Sequence, residues 1–350
     1  MATAHEAPSG PVPWSVAWQR AAFGPAGFYT DGPGARLGPE RFFRTSVHVG
    51  AVFHQALATL LLDVDSRLGR PAQLDCIDVG AGRGELLAGI LDALPGSVAA
   101  RVHAVAVDVH APPDDLDPRV AWIVGSAPDA VPERLRGLVI AHEWLDDVPL
   151  DVVEVDDELV ARLVLVDGTG RERLGPAVHD VAGWAAWGVD ADRAQRWLAR
   201  WWPLVVGGSL HPGTRAEIGT TRDDAWRAVV DRLEAGTALA IDYGHHRDHG
   251  RSATLAGYRL GGRVAAPVPD GGVNLTAHVA VDSVAAAVGA GVRRQRESLL
   301  ELGVTSRLPA AEIAARDPSA YAHALVAASD VAELLDPSGL GGFAWVRLDR

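Results

Sequence analysis

Three glycines alternate at Gly80, Gly82 and Gly84, between the apolar run Leu74–Val79 and a stretch of helical spacing at residues 85–94. Glycines in such a turn let the chain bend sharply and bring its backbone close to a ligand at a helix N-terminus. A dinucleotide fingerprint puts its third glycine three positions after the second. Here that position is Glu85, which argues against a nicotinamide-dependent oxidoreductase. A sulfonium nucleoside has no pyrophosphate to cradle; it carries an amino-acid tail and a ribose. Asp78 stands where it can meet the ammonium of that tail, and Asp108, at the end of the next apolar run, where it can hold both ribose hydroxyls. The turn therefore predicts S-adenosyl-L-methionine as cofactor.

A second group of polar residues closes the fourth apolar run: His142, Glu143, Asp146 and Asp147, with Trp144 and Leu145 between them. In an open parallel sheet ligands bind outside the carboxyl ends of the strands, so Glu143 and Asp146 are expected beside the cofactor. Carboxylates there can orient a guanidinium through paired hydrogen bonds. Either could equally be a solvated turn carboxylate or the cap of a following helix. Ser126 and His142, each at a strand end, complete the candidate cofactor contacts, and Asp242 joins Glu143 and Asp146 as a catalytic candidate.

These residues need a frame. Short apolar runs at residues 74–79, 101–109, 120–125, 138–141 and 237–241 alternate with helical segments, which indicates a doubly wound, Rossmann-like α/β sheet of parallel strands. The run at 343–348 reads as a last strand. Residues 1–70 are expected to form an irregular arm followed by a helix at 47–62, and residues 71–150 the first half of the cofactor-binding domain. The interruption at 151–213 is too long for an ordinary connection and must have structure of its own. A hairpin at 152–155 and 160–166 and one helical segment at 184–202 are expected in it, with Trp184, Trp187, Trp197, Trp201 and Trp202 forming its core. Residues 214–350 supply the second half of the sheet, with a further insertion near 245–280 on the substrate side.

Composition narrows the chemistry. Of 350 residues, 45 are acidic and 32 basic, and a net charge of -13 repels a phosphate backbone, so nucleic acid is not an expected partner. No lysine occurs at all, which removes P-loop and Schiff-base chemistry from this chain alone. Cys76, the single cysteine, reads as a core residue, and the absence of disulfides fits a reducing compartment. The first residues lack the pattern of a signal or transit peptide, and no apolar run approaches bilayer length; a cytoplasmic protein without a membrane association is expected. His245, His246 and His249 near Asp242 and Asp248 invite a metal reading, but clustered histidines on a polar loop are more often solvated, and no metal is expected.

Several fragments occur together and in order: Phe23-Gly24-Pro25, Phe28-Tyr29, residues 43–46, the glycine turn, the Glu143 segment, Ile241-Asp242-Tyr243-Gly244, Thr254-Leu255 with Tyr258-Arg259, and Leu275-Thr276-Ala277-His278-Val279. In this the chain resembles the MidA-like methyltransferases over nearly its whole length. That family includes the mitochondrial assembly factor that dimethylates an arginine of a respiratory complex I subunit. The resemblance implies a class I methyltransferase fold, S-adenosyl-L-methionine as methyl donor, and a protein arginine, as on a respiratory complex subunit, as acceptor. A small-molecule acceptor, or a cofactor-binding assembly factor with weak turnover, are the alternatives. Three positions depart from the family pattern. His142 stands for an asparagine, Asn274 for an aspartate, and Leu260, Gly261 and Gly262 follow Arg259 where a histidine is expected.

Overall fold

The computed structural model describes residues 10–37, 45–205, 209–247, 253–305 and 308–350. The chain divides into two compact units. The larger comprises the described parts of Gly38–Leu145, Ala225–Gly244 and Val284–Arg350. Its seven strands are β1 (Leu74–Val79), β2 (Val102–Asp108), β3 (Val120–Val124), β4 (Leu135–His142), β5 (Leu233–Asp242), β6 (Gly291–Arg294) and β7 (Ala344–Asp349). They lie in the order β6-β7-β5-β4-β1-β2-β3. Strands β5, β4, β1, β2 and β3 run parallel, and β7 is antiparallel to both of its neighbours. This is the doubly wound sheet expected, with its last strand inserted beside β5. Strand β6 was not legible: Gly291-Val292-Arg293-Arg294 is short and polar, and only its pairing with β7 makes it a strand.

All six residues of β1 are buried, which is why the run shows no alternation. Cys76 lies in that core, where burial pushes its thiol well above the ordinary value. Helix α1 (Val52–Arg67) covers the sheet with Phe53, Ala56, Leu57, Leu60, Leu61 and Val64, a stripe at helical spacing packed with Leu138, Ile140, Leu239 and Ile241. The helix expected over 47–62 is divided. A 3-10 turn at Ser46–His48 precedes α1, because Gly50 takes a left-handed φ of 58°. Helix α2 (Glu85–Ala93) buries Leu86, Leu87, Ile90 and Leu91.

The second unit comprises the described parts of Met1–Leu37, Asp146–Asp224 and His245–Ser283. The hairpin is present as Asp151–Val155 and Ala161–Val166, within a five-stranded sheet that also takes in Val12–Pro13, Glu172–Ala177 and Arg215–Ile218. A helix, Trp14–Phe23, lies in what reads as an irregular arm. Its buried residues Trp14, Ala17, Trp18, Ala21 and Ala22 do have helical spacing, but the alanines give little contrast and glycines and prolines crowd both flanks. The helical segment expected over 184–202 is two helices, Val181–Ala185 and Ala191–Trp201. Gly188 breaks it with φ 75°, and Asp190 starts the second helix by accepting the Arg193 amide. Trp184, Trp197 and Trp202 are buried in this unit's core, with Trp187 and Trp201 packed against it.

Candidate active site

The parallel strands change winding direction between β1 and β4. From β1 the chain proceeds outward through β2 and β3, then returns to β4 and β5 on the other side. Such a switch point leaves a crevice outside the strand ends, and it is where this architecture binds ligands. The glycine turn follows β1 and Glu143 follows β4, so the two strongest signals of the sequence meet across it.

Gly80, Gly82 and Gly84 take φ values of 73°, 59° and 78°, the left-handed region that a side chain disfavours. The turn is latched to β2. Val107 accepts the Gly80 amide at 2.9 Å, and Asp108 Oδ2 accepts the Gly82 amide at 2.9 Å. The other carboxylate oxygen of Asp108 accepts the His110 amide at 3.0 Å and lies 2.7 Å from His110 Nδ1. Asp108 thus positions the turn as well as facing the end of β2. Sequence reading did not find that task, nor His110, since nothing in their spacing marks it.

Asp78 is 2% exposed, and among the described residues none donates a hydrogen bond to its carboxyl. Burial, with the charge of Asp108 nearby, pushes its pKa up to about 7. An approaching cation would favour its ionised form. Left-handed glycines beside a buried acid short of a donor are what the amino-acid end of S-adenosyl-L-methionine requires, so the residues present fit that group.

At the end of β4, His142 is buried against Phe53, ring centroids 5.3 Å apart. Burial first, and then the nearby His48 and His54, push its pKa down to about 3. Although Nε2 lies 3.4 Å from Glu143 Oε1, the neutral imidazole makes no ion pair there. Glu143 itself adopts φ 50°, uncommon for a residue with a side chain and a form of strain that accumulates at functional positions. Its amide donates to the Ile241 carbonyl at 2.8 Å. Asp242, 3% exposed, accepts the Leu145 amide at 3.0 Å, so β5 grips both sides of the turn bearing Glu143. Ser126 is exposed at the end of the edge strand β3, where its carbonyl accepts the Ala130 amide.

Asp146 lies in the second unit. Thr276 donates to its carboxylate at 2.7 Å, and Arg222 to its carbonyl at 2.6 Å. The Arg222 guanidinium, 1% exposed, also donates to the carbonyls of Val148, Ala277 and His278, tying two segments together. Tyr29 hydrogen-bonds with both Asp147 and Asn274. The hydroxyl faces two acceptors, Asp147 Oδ2 at 2.5 Å and Asn274 Oδ1 at 2.9 Å, and its single proton can go to one of them at a time. Among the described residues no group of histidine, cysteine and acid is arranged to hold a metal ion. Asp248 and His249, and the beginning of the fragment at 43–46, lie outside the described residues. No helix among the described residues is long and apolar enough to cross a membrane.

Switch-point glycines, a buried acid and a β7 inserted antiparallel define a Rossmann-like methyltransferase of the S-adenosyl-L-methionine-dependent class. Residues 56–297, more than half of the chain, match the family described as S-adenosyl-L-methionine-dependent methyltransferase, and the chain belongs to that family. It is similar to a protein from Burkholderia thailandensis crystallised with S-adenosylhomocysteine. The two are 26% identical, the match covers 97% of this chain and 88% of that one, and the TM-score is 0.75. A native structure of a protein of the same superfamily from that organism is 25% identical over the same shares, with a TM-score of 0.70. No curated protein matches the chain significantly in sequence.

Proposed function

We propose that the chain methylates a protein arginine nitrogen. The observation that carries this reading is Glu143, a carboxylate held in a strained turn at the switch point, beside the glycine turn. In this reading Asp78 meets the ammonium of the methyl donor, Asp108 its ribose, and Gly80, Gly82 and Gly84 give its tail room; Ser126 and His142 border the same site. S-Adenosyl-L-methionine supplies an electrophilic sulfonium methyl. Glu143 orients the acceptor guanidinium and draws positive charge towards the nitrogens that do not react, leaving the attacking nitrogen richer in electrons. Its carboxylate can also take the proton which that nitrogen releases. Asp242 acts through the Leu145 amide, keeping Glu143 in place, and Asp146 is assigned to the acceptor from its position in the sequence. Alignment and charge placement do the work, with no covalent intermediate on the protein.

The test is methyl transfer from labelled cofactor into an extract of cells lacking the protein, using the wild type and Glu143→Gln. Label in methylarginine, lost in the variant while S-adenosylhomocysteine binding persists, is the expected result. Label in the small-molecule fraction would assign a different acceptor. Cofactor binding without any transfer would favour an assembly role.

A further inference from the structure

Trp144 follows the strained Glu143 and lies against the first glycine of the turn. A Cβ built on Gly80 would stand 2.7 Å from Trp144 Cδ1 and 3.2 Å from Cγ, so only glycine lets the indole approach this closely. The ring is half-buried. Trp122 and Trp345 in the same unit donate their indole N–H groups to the His110 carbonyl and to Gln295, while among the described residues no acceptor holds that of Trp144 or of the fully buried Trp226. The backbone that carries the ring is held on both sides. The Glu143 amide is bound to Ile241 on one side and the Leu145 amide to Asp242 on the other. The result is a half-buried indole on an anchored stretch of backbone, packed against the first glycine of the turn.

An indole face attracts a cation through its ring electrons, while a neutral thioether gains only dispersion there. We propose that Trp144 is a specificity-determining residue that reads the charge on the sulfur, favouring the sulfonium of S-adenosyl-L-methionine over the thioether of S-adenosylhomocysteine. It thereby promotes loading of the methyl donor and release of the spent product. The proposal rests on the reading that the glycine turn holds the methyl donor.

Calorimetric titration of both ligands into the full chain separates the two ideas. The ligands share the ammonium, carboxylate, ribose and adenine, so the ratio of their affinities isolates the sulfur. In Trp144→Leu the preference for S-adenosyl-L-methionine should fall by about tenfold, with little change for S-adenosylhomocysteine, and Trp144→Phe should retain much of it. Equal losses for both ligands, or an unchanged ratio in both variants, would overturn the role of Trp144. Gly82→Val, titrated alongside, tests the underlying site: normal binding of both ligands there would remove the glycine turn, and this proposal with it.

Discussion

Replacing Asp78 with asparagine should stabilise the protein while weakening its hold on the cofactor. Asp78 is buried with no hydrogen-bond donor among the described residues, and its pKa is pushed from an ordinary 3.8 up to about 7. In the unfolded chain the same carboxyl ionises near the ordinary value. The native state therefore holds a proton that the unfolded state has lost, and the associated stability is fully present below pH 3.8 and disappears as the pH rises to about 7. At 1.36 kcal/mol for each tenfold step in proton affinity, the full difference is about 4 kcal/mol. Asparagine has the same shape and no such proton. Urea unfolding of the two proteins from pH 4 to pH 8 should show their stabilities diverging in favour of Asp78→Asn, with the divergence complete near pH 7. Calorimetry at pH 8 should show S-adenosylhomocysteine bound more weakly by the variant, because the ligand's ammonium has lost its counter-charge. In the wild type that ammonium favours ionised Asp78, so affinity should rise from pH 6 to pH 8 and binding should release a proton. A stability difference that does not change with pH would refute the burial argument, and undiminished affinity in the variant would refute the assignment to the ammonium.

Asp108→Ala should weaken cofactor binding by about 1.5 to 3 kcal/mol, the range for hydrogen bonds to a charged group. Because Asp108 also latches the Gly82 and His110 amides, the variant should melt at a lower temperature as well; a loss of affinity without a loss of stability would mean the latch is dispensable. Gly80→Ala must place a Cβ 2.7 Å from Trp144 at a left-handed φ, and should lose about 1 kcal/mol or more together with cofactor binding. Gly69→Ala, at a similar φ but in open space, should cost only the backbone penalty and leave binding intact, as thermal melts and titration would show. Glu143→Gln should reduce methyl transfer at least tenfold while S-adenosylhomocysteine affinity barely moves; normal transfer to a confirmed acceptor would make Glu143 an ordinary turn carboxylate.

The sheet was legible because its strands are buried on both faces. Runs such as Leu74–Val79 are apolar apart from Asp75, whose carboxylate accepts the Arg136 amide, and Asp78 near the strand's carboxyl end, and their spacing by helical segments dictates parallel pairing. What escaped notice has specific physical causes. Strand β6 is polar and owes its conformation to β7, and the Trp14–Phe23 helix buries alanines whose apolar signal is weak. The division of the 184–202 segment depends on one left-handed glycine and a capping aspartate, which periodicity alone does not weigh. Arg222 sits in the polar stretch Thr220–Val230, and nothing local distinguishes it from a solvated arginine. Its burial follows from four carbonyls in distant segments that converge on it.

The acids of the cofactor-binding unit were harder to separate, because their sequence contexts are alike and only their surroundings differ. Asp108 and Asp242 each accept backbone amides and so shape the loops at the strand ends. Asp78 has no such support; its charge is held in check by burial until a cation arrives. Glu143 differs again, since its cost is carried by the backbone, in a left-handed conformation that the Ile241 and Asp242 contacts enforce. A fold optimised only for stability would retain neither feature: a neutral side chain at 78 and a glycine at 143 would each relieve it. That both occur at one topological switch point, on either side of Trp144, is the strongest argument that this crevice is where the chain performs its chemistry.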